Sequence, residues 1–192
     1  MLVPETPGHL VSESVVLERV RLAHLDGLQA ALETSHAELR RFMDWAGETP
    51  QGIEVTREFV ETRIAAWSTG EELTFVMTDP PTGEVIGVCS LMTRQGPGRL
   101  EIGYWVRSDR AGAGVATAAA GLLTDVGLAV DGVDIVEIHH DAANVASARI
   151  PEKLGYAEAL RRDVEIDSPG EIGVEVIWEI TRTGWLNSPA RP

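Results

Sequence analysis

Residues 110–117 read Arg110-Ala111-Gly112-Ala113-Gly114-Val115-Ala116-Thr117 and lead into an alanine-rich apolar run. Two glycines two apart, at the mouth of a helical pattern, permit positive φ and close approach to bare backbone. Such a loop aims unpaired amides and the positive end of a helix dipole at an anion, above all a pyrophosphate. A nucleotide-hydrolysing P-loop also needs Gly-Lys-Ser/Thr, and no lysine lies between Gly112 and Asp131. The dinucleotide fingerprint G-x-G-x-x-G finds Gly112 and Gly114, but Thr117 stands in third place and Arg107 to Ala111 separate the loop from the strand before it. Coenzyme A offers a third pyrophosphate. Its amide-rich pantetheine arm could also hydrogen-bond the free backbone of a strand at 99–106, in the manner of an added strand.

Other reactive residue types are few. The single cysteine, Cys89, lies in the apolar run EVIGVCSLM and reads as a buried core thiol rather than a nucleophile. His139-His140-Asp141 is adjacent in sequence, but neighbouring strand residues point to opposite faces, so no metal site is expected there. His9, His24 and His36 have no ligand spacing. A net charge of −14 argues against nucleic-acid or anionic-membrane partners. It also makes Arg107 and Arg110, beside the glycine loop, the expected local positive charge for a polyanion. The opening MLVPETPGHL lacks a basic start followed by an apolar block, and no apolar run reaches membrane-spanning length, so the expected location is cytoplasmic.

The elements that must position these residues follow from periodicity. ESVVLERVRL (13–22) reads as a first strand, and apolar spacing from Leu25 to Trp45 as a helix. A second helix carries Phe59, Val60, Ile64 and Trp67 and ends near Gly70. Three strands joined by turns follow: one through Leu73, Phe75 and Met77, then EVIGVCSLM, then RLEIGYWV (99–106). The last puts Leu100, Ile102, Tyr104 and Val106 on one face and Glu101, Gly103 and Trp105 on the other. A helix from Val115 to Val130, a central strand VDIVEIHH, a short helix from Asn144 to Leu154 and a final hairpin (AEALRRDVEI, GVEVIWEI) complete the chain. This is an α/β (α+β) order with a mostly antiparallel sheet, in one domain over 1–192 with a core at about 13–181 and short flexible tails.

The element order, EIGYWV, the glycine loop with its alanine-threonine exit, and NVASARIPEKLGY together resemble the GCN5-related N-acetyltransferases (GNAT). The resemblance is closest to the branch of the ribosomal-protein alanine acetyltransferases (RimJ/RimL-like) and covers roughly 13–181. It implies a splayed mixed sheet and acetyl-CoA as co-substrate, with direct attack by a primary amine of a protein N-terminus or a small molecule. The family loop Gln/Arg-x-x-Gly-x-Gly/Ala falls on Ala111-Gly112-Ala113-Gly114-Val115-Ala116, where Ala111 replaces a polar or basic residue and Arg110 or Arg107 could substitute. The resemblance implies Glu101 as base through water and Ser147 as acid. Asn144 would cap its helix and hold pantetheine, Lys153 would reach the nucleotide end, and Trp105 and Val106 would border the cofactor slot. Simpler roles stand beside these: a salt-bridged Glu101, a locally packed Ser147, a solvated Lys153 and a core Tyr156. The first two helices, the loop Gly47–Gly52 and the final hairpin would build the acceptor site, with Trp45, Trp67 and Trp105 as possible lining. A homodimer is common among similar proteins. A catalytically idle acyl-CoA-binding protein and a dinucleotide oxidoreductase are the alternatives.

Overall fold

The computed structural model describes residues 6–191. Its elements run β1 (His9–Val11), β2 (Val16–Arg19), α1 (Leu25–Leu39), α2 (Ile53–Thr69), β3 (Glu72–Thr78), β4 (Val85–Met92), β5 (Arg99–Val106), α3 (Val115–Ala129), β6 (Ile135–Asp141), α4 (Val145–Leu154), β7 (Ala157–Asp163), β8 (Val174–Thr181) and α5 (Arg182–Leu186). The eight strands of the described residues form one open sheet in the order β1-β2-β3-β4-β5-β6-β8-β7. Among the described residues only β5 and β6 pair in parallel, as expected for strands joined through a crossover helix.

That parallel pair positions the site. Its register holds Leu100 beside Val136 and ends at Ile102 beside Ile138, although β5 continues to Val106 and β6 to Asp141. On its other side β5 stays paired with β4 as far as Val106. The sheet therefore forks after Ile102 and Ile138. Among the described residues no strand pairs with the β6-facing edge of 103–106.

Two apolar clusters hold the sheet. Leu17, Phe75, Leu91, Leu100 and Ile102 pack under α3, α4 and α5 through Ala119, Leu123, Leu154 and Trp185. On the opposite face Val76 and Val88 meet α1 and α2 through Leu28, Ala31 and Val60. Cys89 is buried in the larger cluster, which pushes its thiol pKa far up and leaves it inert. Trp67 is core as well, edge-on to Phe75 at 4.9 Å.

Several boundaries differ from the sequence reading. The first strand shrinks to Val16–Arg19, because Ser12 Oγ accepts from the Val15 amide and closes a turn after β1. The first helix stops at Leu39 rather than Trp45, and the Met43 amide folds back onto the Leu39 carbonyl. Phe42, Met43 and Trp45 thereby face a cavity instead of continuing the helix. Neither β1 nor α5 was expected. The expected flexible N-terminal tail falls partly outside the described residues, whereas Trp185 near the other end is buried and donates Nε1–H to Asp125 at 2.7 Å.

Candidate active site

The glycine loop ends on the N-terminus of α3. Gly112 and Gly114 have φ of 79° and 84°, and a Cβ at either would meet only open space. Ala118 is the first amide of this helix to find a backbone acceptor, the Gly114 carbonyl at 3.0 Å. Among the described residues the amides of 112–117 find none, which leaves a row of unpaired backbone donors at the helix mouth. Val115 is buried and Ala116 packs on the core, so these two can offer amides but not side chains; Ala111 and Ala113 are exposed. Beside the row lies a recess of 300 Å³, lined by Gly114, Thr117 and Lys153 together with Ser12 and Ala190. Lys153, expected at the nucleotide end of the loop's ligand, borders the same recess as Gly114 and Thr117.

The two arginines behave differently. Arg107 forks onto Asp109 (2.6 and 3.1 Å) and reaches Glu84 at 3.3 Å. Arg110 also turns to Glu84 at 3.3 Å and to Asp79 at 3.8 Å. Both are thus engaged by carboxylates of the β3–β4 turn and neither lines the recess. To meet a phosphate, either would have to leave those partners.

At the fork, α4 starts where β6 ends. Asn144 caps it, its side-chain oxygen accepting from the Ser147 amide at 3.1 Å. This holds Ser147 Oγ 3.0 Å from the Tyr104 hydroxyl, a polar bridge across the open strands. Desolvation raises the Tyr104 pKa, so the phenol stays protonated. Strand alternation puts Tyr104 on the apolar face, and its polar tip next to Gly103 is the signal the sequence carries for this second role. Tyr156, by contrast, is core, its hydroxyl 2.6 Å from Thr124 Oγ1.

Through the fork opens a cavity of about 870 Å³ on the other face of the sheet. Trp45 and Phe59 wall one side, Glu165 and Glu171 of the final hairpin the other, and Glu101, Trp105, Asn144, Ser147 and His139 the floor. The stretch after α1 supplies the wall expected of the loop Gly47–Gly52; Gln51 of that loop instead borders a separate small recess and bonds the Trp45 carbonyl. Asp141 fastens the hairpin, accepting from the amides of Ile172, Gly173 and Val174 at 3.0–3.2 Å. The turn Gly170 amide reaches the Arg41 carbonyl at 2.7 Å and closes the rim.

Glu101 is buried on this floor and is also salt-bridged. Arg94 donates to it through Nε (2.7 Å) and a second nitrogen, and Gln95 adds a bond at 2.5 Å. Burial alone would raise its pKa, but Arg94 and Gln95 outweigh it and keep the carboxylate below its ordinary value. Arg94 and Gln95 sit in a turn, where nothing in the sequence tied them to Glu101.

The adjacent histidines alternate along β6 and take different partners, although both line the cavity. His140 Nε2 accepts from Trp178 Nε1 at 2.9 Å while its Nδ1 meets the Asp141 carbonyl at 2.8 Å, so one donor and one acceptor are both satisfied. His139 lies on the cavity side, with Nε2 2.8 Å from Glu137 and Nδ1 3.3 Å from Glu175. No metal-holding cluster exists among the described residues.

Residues 14–157 match the family model described as an acetyltransferase (GNAT) domain. No curated protein matches. Among solved structures, RimJ of Mycobacterium smegmatis in complex with a CoA-disulfide superposes with a TM-score of 0.84 at 21% identity, over 99% of this chain and 94% of that one. The microcin C7 self-immunity acetyltransferase MccE, in complex with acetyl-CoA and AMP, gives 0.82 at 17% identity over 92% and 97%. RimL, a ribosomal L7/L12 alpha-N-protein acetyltransferase in complex with CoA, gives 0.80 at 18% over 90% and 96%. A forked sheet, a glycine loop at a helix mouth and a family match over three quarters of the sequence agree: the chain belongs to the GNAT acetyltransferases.

Proposed function

We propose that this protein transfers the acetyl group of acetyl-CoA to a primary amine, in the manner of the RimJ/RimL-like branch. The observation that carries the reading is the fork: unpaired amides at 112–117 lie on one side of the sheet and a large cavity opens on the other. The residues present fit the co-substrate. The amides of 112–117 suit a diphosphate, the unpaired edge of Trp105 and Val106 suits the pantetheine amides, and Lys153 suits the nucleotide end. That RimJ, RimL and MccE were each solved with CoA or acetyl-CoA supports the assignment.

Acetyl-CoA supplies an activated thioester; the chain's residues move the protons. Glu101 attracts the ammonium and takes its proton through water. Ser147, backed by the Tyr104 hydroxyl at 3.0 Å, gives a proton to the departing sulfur. Asn144 holds Ser147 in place through its cap. Eight carboxylate residues line the cavity against two arginines, a potential suited to a cationic acceptor. A protein N-terminus and a small-molecule amine both meet that condition.

Calorimetry with acetyl-CoA, and thiol release with Ala- and Ser-initiated peptides and spermidine, test the reading. Saturable binding with turnover of at least one amine is expected. Binding without turnover across the panel would leave an idle acyl-CoA binder. Thermal stabilisation by NAD or NADP but not CoA would overturn the assignment.

A further inference from the structure

We propose that Glu84 sets how firmly acetyl-CoA is held, by keeping Arg110 away from the phosphates that the glycine loop receives. This deepens the acetyl-transfer reading and rests on it. Arg110 comes just before the loop, and the unpaired amides begin two residues later, at Gly112. A guanidinium at that place suits a diphosphate, which it can grip with two parallel hydrogen bonds. It is engaged elsewhere. Its Nη2 lies 3.3 Å from Glu84 Oε2 and 3.8 Å from Asp79 Oδ2.

The carboxylate that draws it stands on a well-bonded turn between β3 and β4. The Asp79 amide donates to the Glu84 carbonyl at 2.9 Å, and the Glu84 amide donates to Thr82 Oγ1 at 3.2 Å. Glu84 Oε2 also accepts from Arg107 Nη2 at 3.3 Å, so one oxygen serves both arginines. The two arginines are held differently. Arg107 is 15% exposed, forks onto Asp109 and donates to the Val85 carbonyl at 3.3 Å, which makes it part of the scaffold. Arg110 is 35% exposed and its two carboxylate contacts are long. Its Nε is buried and finds no hydrogen-bond partner among the described residues. A buried donor left unpaired costs stability, so Glu84 and Asp79, rather than a full set of partners, keep Arg110 where it is.

Two guanidinium groups thus meet three carboxylates, those of Asp79, Glu84 and Asp109, and the approach to the loop gains no net positive charge. Backbone amides are left to hold the diphosphate, with Lys153 at the recess. The consequence is kinetic. Product CoA carries the same phosphates as acetyl-CoA, so an arginine on them tightens both alike. Uniform tightening speeds no chemical step, and it delays departure of the product. By holding Arg110, Glu84 lets CoA leave.

Calorimetry of the full chain with CoA tests this, together with stopped-flow measurement of CoA release. At about 50 mM salt, Glu84→Gln should bind CoA about fivefold tighter and release it correspondingly more slowly. At about 0.5 M salt the gain should shrink below about twofold, because salt screens exposed charges. Adding Arg110→Ala to Glu84→Gln should bring affinity back to within about twofold of wild type, since the freed guanidinium is what binds. Glu61→Gln removes the same charge at an exposed position of α2 and should leave CoA affinity unchanged. Asp79→Asn, which loosens the second contact, serves where Glu84→Gln does not fold, with a gain in the same direction. Unchanged CoA affinity in the folded variant overturns the proposal. A gain that persists in the double variant, or that Glu61→Gln reproduces, also overturns it, because loss of negative charge alone then explains the result. Wild-type protein that binds no CoA strikes the acetyl-transfer reading, and this inference with it; CoA binding that Glu84→Gln leaves unchanged strikes this inference alone.

Discussion

The two faces of the sheet around β5, β6 and β8 carry opposite chemistry although they alternate along the same strands. Toward α3 and α4 stand Leu100, Ile102, Val136, Ile138, Trp178 and Ile180, all in the apolar core. On the other face stand Glu101, Glu137, Glu179, His139 and Glu175, bound to one another and to arginines, and Glu101, His139 and Glu175 among them line the cavity. Hydrophobic burial on one face stabilises the fold, and the second face is thereby free to hold charges that contribute little net stability. The difference teaches where to look for chemistry: at polar residues that a strand could have replaced with apolar ones and did not. The fork joins the faces, and Tyr104 and Ser147 stand at the junction.

Substitutions should separate the faces by what they damage. The largest effect is expected at the junction: Ser147→Ala should lower kcat about 10²-fold with acetyl-CoA affinity within about twofold, read from thiol release and calorimetry. At the helix mouth, Gly114→Val forces a β-branched residue to a φ of 84° and should weaken acetyl-CoA binding about tenfold or more. Arg110→Ala should cost less than about twofold, since its partners are Glu84 and Asp79 and any remaining phosphate contact is a screened surface interaction. Equal losses in a titration would break the backbone account.

On the charged face, Glu101→Gln should alter stability in a pH-dependent way. The Glu101 pKa is depressed in the folded state, so its contribution is present above the ordinary carboxylate pKa of about 4.3 and is lost as pH falls through the folded value. Wild type should therefore lose stability more steeply than Glu101→Gln on acidification below about pH 5, followed by denaturant unfolding. On the apolar face, Thr124→Val strands the Tyr156 hydroxyl and should cost about 1–2 kcal/mol. A fall in Tm of a few degrees with unchanged kcat is expected; a fall in kcat would mean the faces are coupled through α3.

Much of this was legible in the sequence where the signal is local. The alternation of Glu101, Gly103 and Trp105 against Leu100, Ile102 and Tyr104 is the one the strand adopts. Gly112 and Gly114 occupy positive φ, and Asn144 caps its helix. Long-range pairings were not legible. Arg94 meets Glu101, and Arg107 and Arg110 meet Glu84, only because hairpins fold back on one another. β1, at three residues, and α5, at five, are too short to show a period and depend on neighbours for their shape. His139, half of an unusable metal pair in the sequence, meets Glu137 on its own strand and Glu175 on the neighbouring one, a pairing no local pattern announces.

The recess by Gly114 and the larger cavity at the fork are separate, with no lining residue in common. Neither reactant has to depart before its counterpart enters, and neither blocks the other's doorway. Double-reciprocal rate plots at several fixed concentrations of the second substrate should accordingly intersect rather than run parallel, and excess of one should not act as a competitor of the other.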